Sequence, residues 1–305
     1  MHHILITGGT GVMGSVLVKK LTAAGNRVRV LTLPNDPGAA RAKELGADVR
    51  FGNIADAASL SGICDGIDTV YHLAAIIIAF DDALYEKINT GGTANIAAEA
   101  KKTGVKRFIH VSSASVLYPK PTPYSSSKRK CEEIVRQSGM QWTIVRPTLV
   151  YDRGKGGQEF DILLDYLRKF PVVPFIGSGK SLKRPVFVDD IIDGLFALCD
   201  NPNAAGKIYN FSGAEAISIF DFCRLCLKLM GTPGKPAVKI PVWLCLLLAW
   251  GMKLVMKRPP LRWPVIAGIT QDANLDPAEA QRDLGYNPIK VTEKLPECFP
   301  RKNLN

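Results

Sequence analysis

Apolar residues along this chain recur in two rhythms: short continuous runs closed by small or turn-forming residues, and longer stretches with helical spacing. The two alternate through most of the first two hundred residues. The first run, His2-His3-Ile4-Leu5-Ile6-Thr7, reads as a buried strand, and a helical pattern follows from Val12 to about Ala24. Further strands are predicted over Arg27–Leu33, Asp48–Gly52, Thr69–Leu73 and Lys106–Val111, with a sixth ending at Val145-Arg146-Pro147. Helices are predicted up to Cys64, from about Asp82 to Lys102, and across Tyr124 to Lys128. This alternation implies an α/β fold with a parallel, doubly wound sheet, because each return to the same edge needs a crossover. Beyond Gln158 helices and Pro/Gly turns take over, and Pro171, Pro174, Gly177 and Gly179 punctuate a lid-like segment. A helix over Asp189–Leu198 and a strand over Ile208–Phe211 then return to the first lobe.

The break after the first strand carries chemistry. Gly8 permits a tight turn, Gly11 lets the backbone approach a pyrophosphate, and Gly14 lets the next helix pack closely. Backbone N–H groups around Val12 and Met13 then face the phosphates with the positive end of the helix dipole behind them. The expected organisation is a Rossmann-type dinucleotide-binding domain over 1–155, completed by about 186–213. A smaller, mostly helical substrate lobe is expected from 156–185 and 214–305.

The end of the second strand should choose the cofactor, since a carboxylate there suits NAD and an arginine suits NADP. Thr32 and Leu33 stand at that end and give neither signal, while Asp36, Arg41 and Lys43 follow in a loop of undetermined direction. NAD or NADP is therefore expected, with a slight lean to NAD. Asn53 and Ile54 follow the third strand, where a side-chain amide can meet an adenine edge or, equally, serve as a cap with Asp56. Ala74 and Ala75 close the fourth strand and leave room for a ligand, Ile76-Ile77-Ile78 read equally as an apolar wall beside that crevice or as plain core, and His72 reads as a packed histidine.

Composition narrows the partners. The 305 residues are 47% hydrophobic and carry a formal charge of +11, yet basic residues form no long run and none is interleaved with aromatics. A small-molecule substrate is expected, and nucleic acid is not. Seven scattered cysteines suit a reduced, cytoplasmic setting, and Cys223-x-x-Cys226, without a second pair at metal spacing, reads as core filling, so no metal site is expected. The chain enters its first strand at once, so no signal peptide is expected.

Tyr124 and Lys128 stand four apart, on one face of a helix. An adjacent ammonium and an oxidised nicotinamide both favour the phenolate, so Tyr124 can take a proton from a substrate hydroxyl as hydride leaves. Ser113, at the end of the fifth strand, can hold the same oxygen, and Ser115 is a second candidate.

These segments occur in a telling order: Thr7 to Gly14, His72-Leu73-Ala74-Ala75, Asn89 within Asn-Thr-Gly-Gly-Thr, Ser112-Ser113, Tyr124/Lys128, Val145-Arg146-Pro147, Val186 to Asp190 and Asp283 to Tyr286. Together they resemble the extended short-chain dehydrogenase/reductases, the NAD-dependent epimerase/dehydratase group, over nearly the whole chain. The resemblance implies that Ser113, Tyr124 and Lys128 are catalytic, that Asn89 supports the proton relay and that Ala74 and Ala75 line the cofactor path. It also places Pro147 and the backbone around Leu149 at the nicotinamide. Nucleotide-sugar members usually carry Asn shortly after the Arg-Pro, where this chain has Leu149, and their diphosphate-binding Arg falls near Lys183, with Arg184 beside it. With Ile76 and Leu149 apolar, the expected reaction interconverts a secondary alcohol and a ketone on a sterol-like or lipid-like substrate. A nucleotide-sugar epimerase or dehydratase is the alternative, and a non-catalytic dinucleotide-binding subunit is a third reading.

The stretch Ile240 to Arg258 is apolar for about three turns and then basic, with Trp243 and Trp250 near its two ends. Lys253 interrupts it, so it is too short to span a membrane. A core helix is the favoured reading, ahead of an interfacial helix whose Lys257 and Arg258 meet anionic lipid. Peripheral membrane contact through 242–258 and a homodimer both stay open. Similar Pro-Trp-Leu segments occur in the sterol and 3β-hydroxysteroid dehydrogenase branch, which again points to an apolar substrate.

Overall fold

The computed structural model describes residues 1–153 and 158–299, so the expected domain boundary at 155/156 and the last six residues lie outside the described residues. The first lobe comprises β1 (His3–Thr7), α1 (Val12–Ala23), β2 (Arg27–Thr32), α2 (Ala39–Glu44), β3 (Asp48–Phe51), β4 (Thr69–His72), α3 (Gly91–Lys102), β5 (Arg107–Val111), α4 (Pro123–Arg136) and β6 (Gln141–Pro147). Seven strands pair in parallel, in the order β3-β2-β1-β4-β5-β6 with β11 (Lys207–Phe211) at the far edge. Chain order reverses between β1 and β4, which opens a crevice at their C-terminal ends.

Both faces of the sheet are covered, which explains why its strands read as continuous apolar runs. Ile4 and Ile6 pack into one core with Leu17, Val18 and Leu21 of α1, while Leu5 turns to a second core with Ile96, Ala97 and Ala100 of α3. Two predicted helices differ in kind. The segment before Cys64 holds only a 3₁₀ turn, Ala57–Leu60, with Asp56 accepting from Ala58 N. The long helix predicted from Asp82 begins as a π-helix, Tyr85–Thr90, before α3 takes over.

The second lobe follows through β7 (Val150–Tyr151), α5 (Gln158–Lys169), β8 (Val173–Ile176), β9 (Leu182–Lys183), β10 (Val186–Phe187), α6 (Val188–Ala197), β12 (Ile217–Ser218), α7 (Ile219–Leu229), β13 (Ala237–Ile240), α8 (Val242–Val255) and α9 (Trp263–Thr270). It is less purely helical than predicted, because β7–β10, β9–β12 and β8–β13 form three two-stranded sheets. Runs of two to four residues are too short to show a period. Within these elements α6 belongs to the first lobe, its Ile191, Ile192 and Leu195 joining the core that holds α1. Cys223 and Cys226 are buried core residues, as read.

The reading of α8 as a core helix is overturned. Cys245 is its only buried residue, and the helix rests one edge on a small cluster with Ile176 and Ile266. Apolar content alone could not reveal that, among the described residues, its neighbours cover only one edge of it. Among the described residues, no helix is long and apolar enough to cross a membrane.

Candidate active site

Gly8 has φ +73°, and a Cβ there would stand 2.8 Å from Ala74 N. At Gly14 a Cβ would come within 2.0 Å of the Gly8 carbonyl oxygen, so only glycine lets α1 start this close to the turn. Gly11 N donates to Gly8 O at 3.1 Å, and Gly11 caps α1 with no side-chain bond. The first N–H groups of α1, around Val12 and Met13, therefore have no side chain of their own helix cap to satisfy them. Such a cradle fits a dinucleotide pyrophosphate.

One residue left undirected by the sequence turns into this region. Asp36 accepts from Thr32 Oγ1 at 2.6 Å and from Thr10 Oγ1 at 2.9 Å, and Gly38 N donates to its other oxygen at 2.7 Å. Partial burial pushes its pKa up, but the bonds from Thr32, Gly38 and Thr10 outweigh it and hold the carboxyl below its ordinary range. Thr32 thus helps hold Asp36 beside the glycine turn, with Thr10. At the third strand, Asn53 Oδ1 accepts from Ala55 N at 3.0 Å, a local turn, and Ile54 is buried with its carbonyl accepting from Asn95 at 2.8 Å.

Behind the crevice, His72 is packed as read, with Nδ1 2.7 Å from Thr7 Oγ1 and Nε2 3.0 Å from Thr93 Oγ1. Ala74 N donates to the same Thr7 hydroxyl at 3.3 Å, which fixes the exit of β4 beside the glycine turn. Ala75 follows, partly exposed, and Asn89 then clamps the next residue: its Oδ1 accepts from Ile76 N at 2.8 Å and its Nδ2 donates to Ile76 O at 3.0 Å and Ser127 Oγ at 3.1 Å. The π-helix is what turns Asn89 inward, and such segments often mark functional sites.

Tyr124 and Lys128 project from the first turns of α4, which Thr122 and Ser125 cap reciprocally. Ser113 stands near enough to the Tyr124 hydroxyl to favour its ionisation and lies 2.9 Å, oxygen to oxygen, from Ser115. Of the two serines it is Ser113 that meets the phenol. Burial, with Glu159 nearby, raises the Tyr124 pKa despite Ser113. Lys128 is buried and donates to Val111 O at 2.7 Å, and burial lowers its pKa. The ammonium therefore serves the end of β5, and the phenol is protonated as it stands.

Two residues went unnoticed in the sequence. Glu132, one turn beyond Lys128, is buried and takes a bidentate bond from Arg146 (2.8 and 2.6 Å) with Ser112 Oγ at 2.6 Å and Arg136 at 2.8 Å. This network ties α4 to β5 and β6 and so sets where Tyr124 stands; its signal was a Glu four residues after the Lys. Glu159 of α5 lies at the solvent-open cleft, close enough to raise the pKa of both Tyr124 and Tyr118. Crowding by protein raises its own pKa, and Lys183 offsets this.

Pro147 ends β6 buried, and Leu149 O accepts from Val186 N at 2.9 Å while its side chain packs against the core. Lys183 and Arg184 part ways. Lys183 is buried, donates to Gln271 O and stands 5.7 Å over the Tyr118 ring, with burial bringing its pKa down to about 8. Arg184 is held by Asn274 Oδ1 at 2.7 Å and by the carbonyls of Gly213 and Ala214. The structure thus gathers Ser113, Tyr124 and Lys128 in one place, with Lys183 across the cleft through Glu159.

A parallel, doubly wound sheet with a glycine cradle at its switch point defines a Rossmann-type enzyme using a nicotinamide dinucleotide. A profile of the NAD dependent epimerase/dehydratase family matches residues 4–212, and the chain belongs to that family. It is similar to a 3 beta-hydroxysteroid dehydrogenase/Delta 5-->4-isomerase of Mycobacterium tuberculosis, 28% identical over 98% of this chain and 90% of that one. A UDP-glucose 4-epimerase of Vibrio cholerae is 26% identical over 95% and 92%. A dTDP-glucose 4,6-dehydratase from Streptomyces venezuelae, solved with NAD and TYD bound, shares the fold at TM-score 0.74 with 22% identity, over 97% of this chain and 95% of that one. The chain is accordingly an enzyme of the dehydrogenase, epimerase or dehydratase kind.

Proposed function

We propose that this protein is an NAD-linked oxidoreductase interconverting a secondary alcohol and a ketone on an apolar, sterol-like or lipid-like substrate. The observation that carries the reading is the wall of the crevice. Directly after Ala74 and Ala75 the chain runs through Ile76, Ile77 and Ile78 to Phe80, and Ile77, Ile78 and Phe80 keep over a third of their surface exposed at the mouth. Leu149, where a nucleotide-sugar enzyme of the resemblance would place Asn, supports the same choice.

Bound in the glycine cradle, a nicotinamide dinucleotide supplies the hydride donor or acceptor. Asp36 supports NAD over NADP, since its carboxylate suits ribose hydroxyls and repels a 2′-phosphate. Tyr124, held protonated by burial, gives its proton to the oxygen of a ketone and takes it back from the alcohol in the other direction. Ser113 donates to that same oxygen and keeps it in line with the phenol. Lys128 holds the end of β5 through the Val111 carbonyl and so steadies Ser113 just beyond it, and Asn89 fixes the wall at Ile76.

Lys183 favours a second reading, a nucleotide-sugar epimerase or dehydratase, because a buried cation at the cleft suits a diphosphate. Its bond to Gln271 O already occupies it, which supports the first reading. The test is to denature freshly purified protein, identify any released dinucleotide, and assay NADH formation with a 3β-hydroxysteroid beside conversion of UDP-glucose. An empty protein that binds NAD reversibly and oxidises the steroid is expected. About one NAD per chain retained through dialysis, with UDP-glucose converted, overturns the reading in favour of the second.

A further inference from the structure

We infer that the face of the second lobe carrying α8 seats on an anionic lipid surface and brings the mouth of the substrate crevice to it. Helix α8 is apolar on every side yet packed on one. Val242, Cys245 and Ala249 form the edge that meets the small cluster with Ile176 and Ile266. Trp243, Leu247, Trp250 and Leu254 form the opposite edge, and each keeps more than half of its surface exposed, 67%, 55%, 64% and 68% in turn. A helix apolar all round is otherwise found inside a protein core or in lipid. Val255 at 82%, the last residue of the helix, and Met256 at 44% just after it extend the face.

Charge selects the occupant. From Phe222 to Gln271 the chain has eight Lys or Arg and no Asp or Glu, so this stretch supplies eight of the eleven net positive charges. Lys253, Lys257 and Arg258 are exposed at the end of the apolar stripe. A second copy docked face to face would oppose two such basic surfaces, which repel, whereas anionic headgroups neutralise them. Fourteen residues span about 21 Å, short of the roughly 30 Å hydrocarbon core, so the helix lies in the interface. Trp243 and Trp250, two turns apart on the exposed edge, suit the headgroup level.

The same face is joined to the crevice. The guanidinium of Arg258 stands 5.7 Å and that of Arg262 4.5 Å over the ring of Phe80, and Arg262 donates to Ala79 O. Phe80 ends the apolar wall that starts at Ile76. A surface bound by α8 therefore lies beside the substrate entrance, and an apolar substrate enters from lipid without crossing water. This delivery step rests on the apolar-substrate reading, while the docking itself does not.

The full chain is sedimented with vesicles of phosphatidylcholine containing phosphatidylglycerol, and with phosphatidylcholine alone. Binding to the anionic vesicles is expected, reduced by salt, and at least about tenfold weaker for the double variant Trp243→Gln/Trp250→Gln. Lys253→Gln/Lys257→Gln is expected to weaken it roughly tenfold as well. Near-UV circular dichroism and NAD binding, unchanged in both variants, show that the fold is kept. No sedimentation of the wild type with anionic vesicles overturns the docking, as does binding that both variants retain. A dimer in analytical ultracentrifugation that the tryptophan variant dissociates, with no vesicle binding, reassigns the face to a second copy. Vesicle binding intact with no turnover of a membrane-dissolved hydroxysteroid overturns the substrate reading and leaves the docking standing.

Discussion

Two helices of this protein invert the usual relation between polarity and burial. Helix α4 carries Tyr124, Ser125, Ser127, Lys128 and Glu132, and Lys128 and Glu132 are among its most buried side chains, at 2% and 1% exposure. Helix α8 is almost wholly apolar and buries a single residue. The charges of α4 tolerate burial because every one has a partner: Lys128 has the Val111 carbonyl, and Glu132 has two arginines and a serine. The apolar groups of α8 stay outside because one edge satisfies the small cluster beneath it and, among the described residues, no other element covers the rest. Burial thus follows available partners, and hydropathy decides it only where packing space exists.

The comparison breaks most visibly at Tyr124. Replacing it by Phe keeps the size of the buried ring but removes the proton, and turnover is expected to fall about 10²- to 10⁴-fold while NAD titration is unchanged. Next comes the network behind it. Glu132→Ala strands Arg146 in the interior and is expected to cost about 3–5 kcal/mol in denaturant unfolding. By contrast, Trp243→Gln on α8 should stay within about 0.5 kcal/mol of the wild type, because the ring is already in water. If the tryptophan variant unfolds as readily as the glutamate variant, α8 is a core helix after all.

Acid sharpens the α4 side. His72 and His110 lie buried next to Lys128; burial foremost, then the Lys128 charge, brings the pKa of His72 down to about 3 and that of His110 well below its ordinary value. The unfolded chain binds protons on both below pH about 6.5, and the folded chain refuses them. Stability should be full above that pH and decline steadily as pH falls toward 3, as read by melting at a series of pH values. His110→Leu should flatten the decline, since neither ring nitrogen of His110 has a hydrogen-bond partner among the described residues. A more modest effect concerns cofactor choice: Asp36→Asn should narrow the preference for NAD over NADP by roughly tenfold, about 1.4 kcal/mol, in paired kinetics.

Much of the site was legible along the chain. Gly8, Gly11 and Gly14 announce a turn and a close approach by their spacing, and Tyr124 and Lys128 share a face because four residues nearly complete a helical turn. What could not be read were relations between distant residues. Asp36 looks like any loop carboxylate until Thr10 and Thr32 are seen to hold it, and Glu132 resembles a surface charge until Arg146 arrives from another strand. The choice between Lys183 and Arg184 likewise needed the strand pairing that points the first toward Tyr118 and leaves the second with Asn274.

By itself the sequence determined the alternation of strand and helix, the parallel sheet and the position of the glycine cradle, because these follow from short apolar runs, helical spacing and closely spaced glycines, all of them local along the chain. The tertiary structure alone decided which charges are buried and which apolar surface is left uncovered. Those outcomes depend on which partner lies across space, and neither Glu132 nor Trp243 carries that information in its neighbours along the chain.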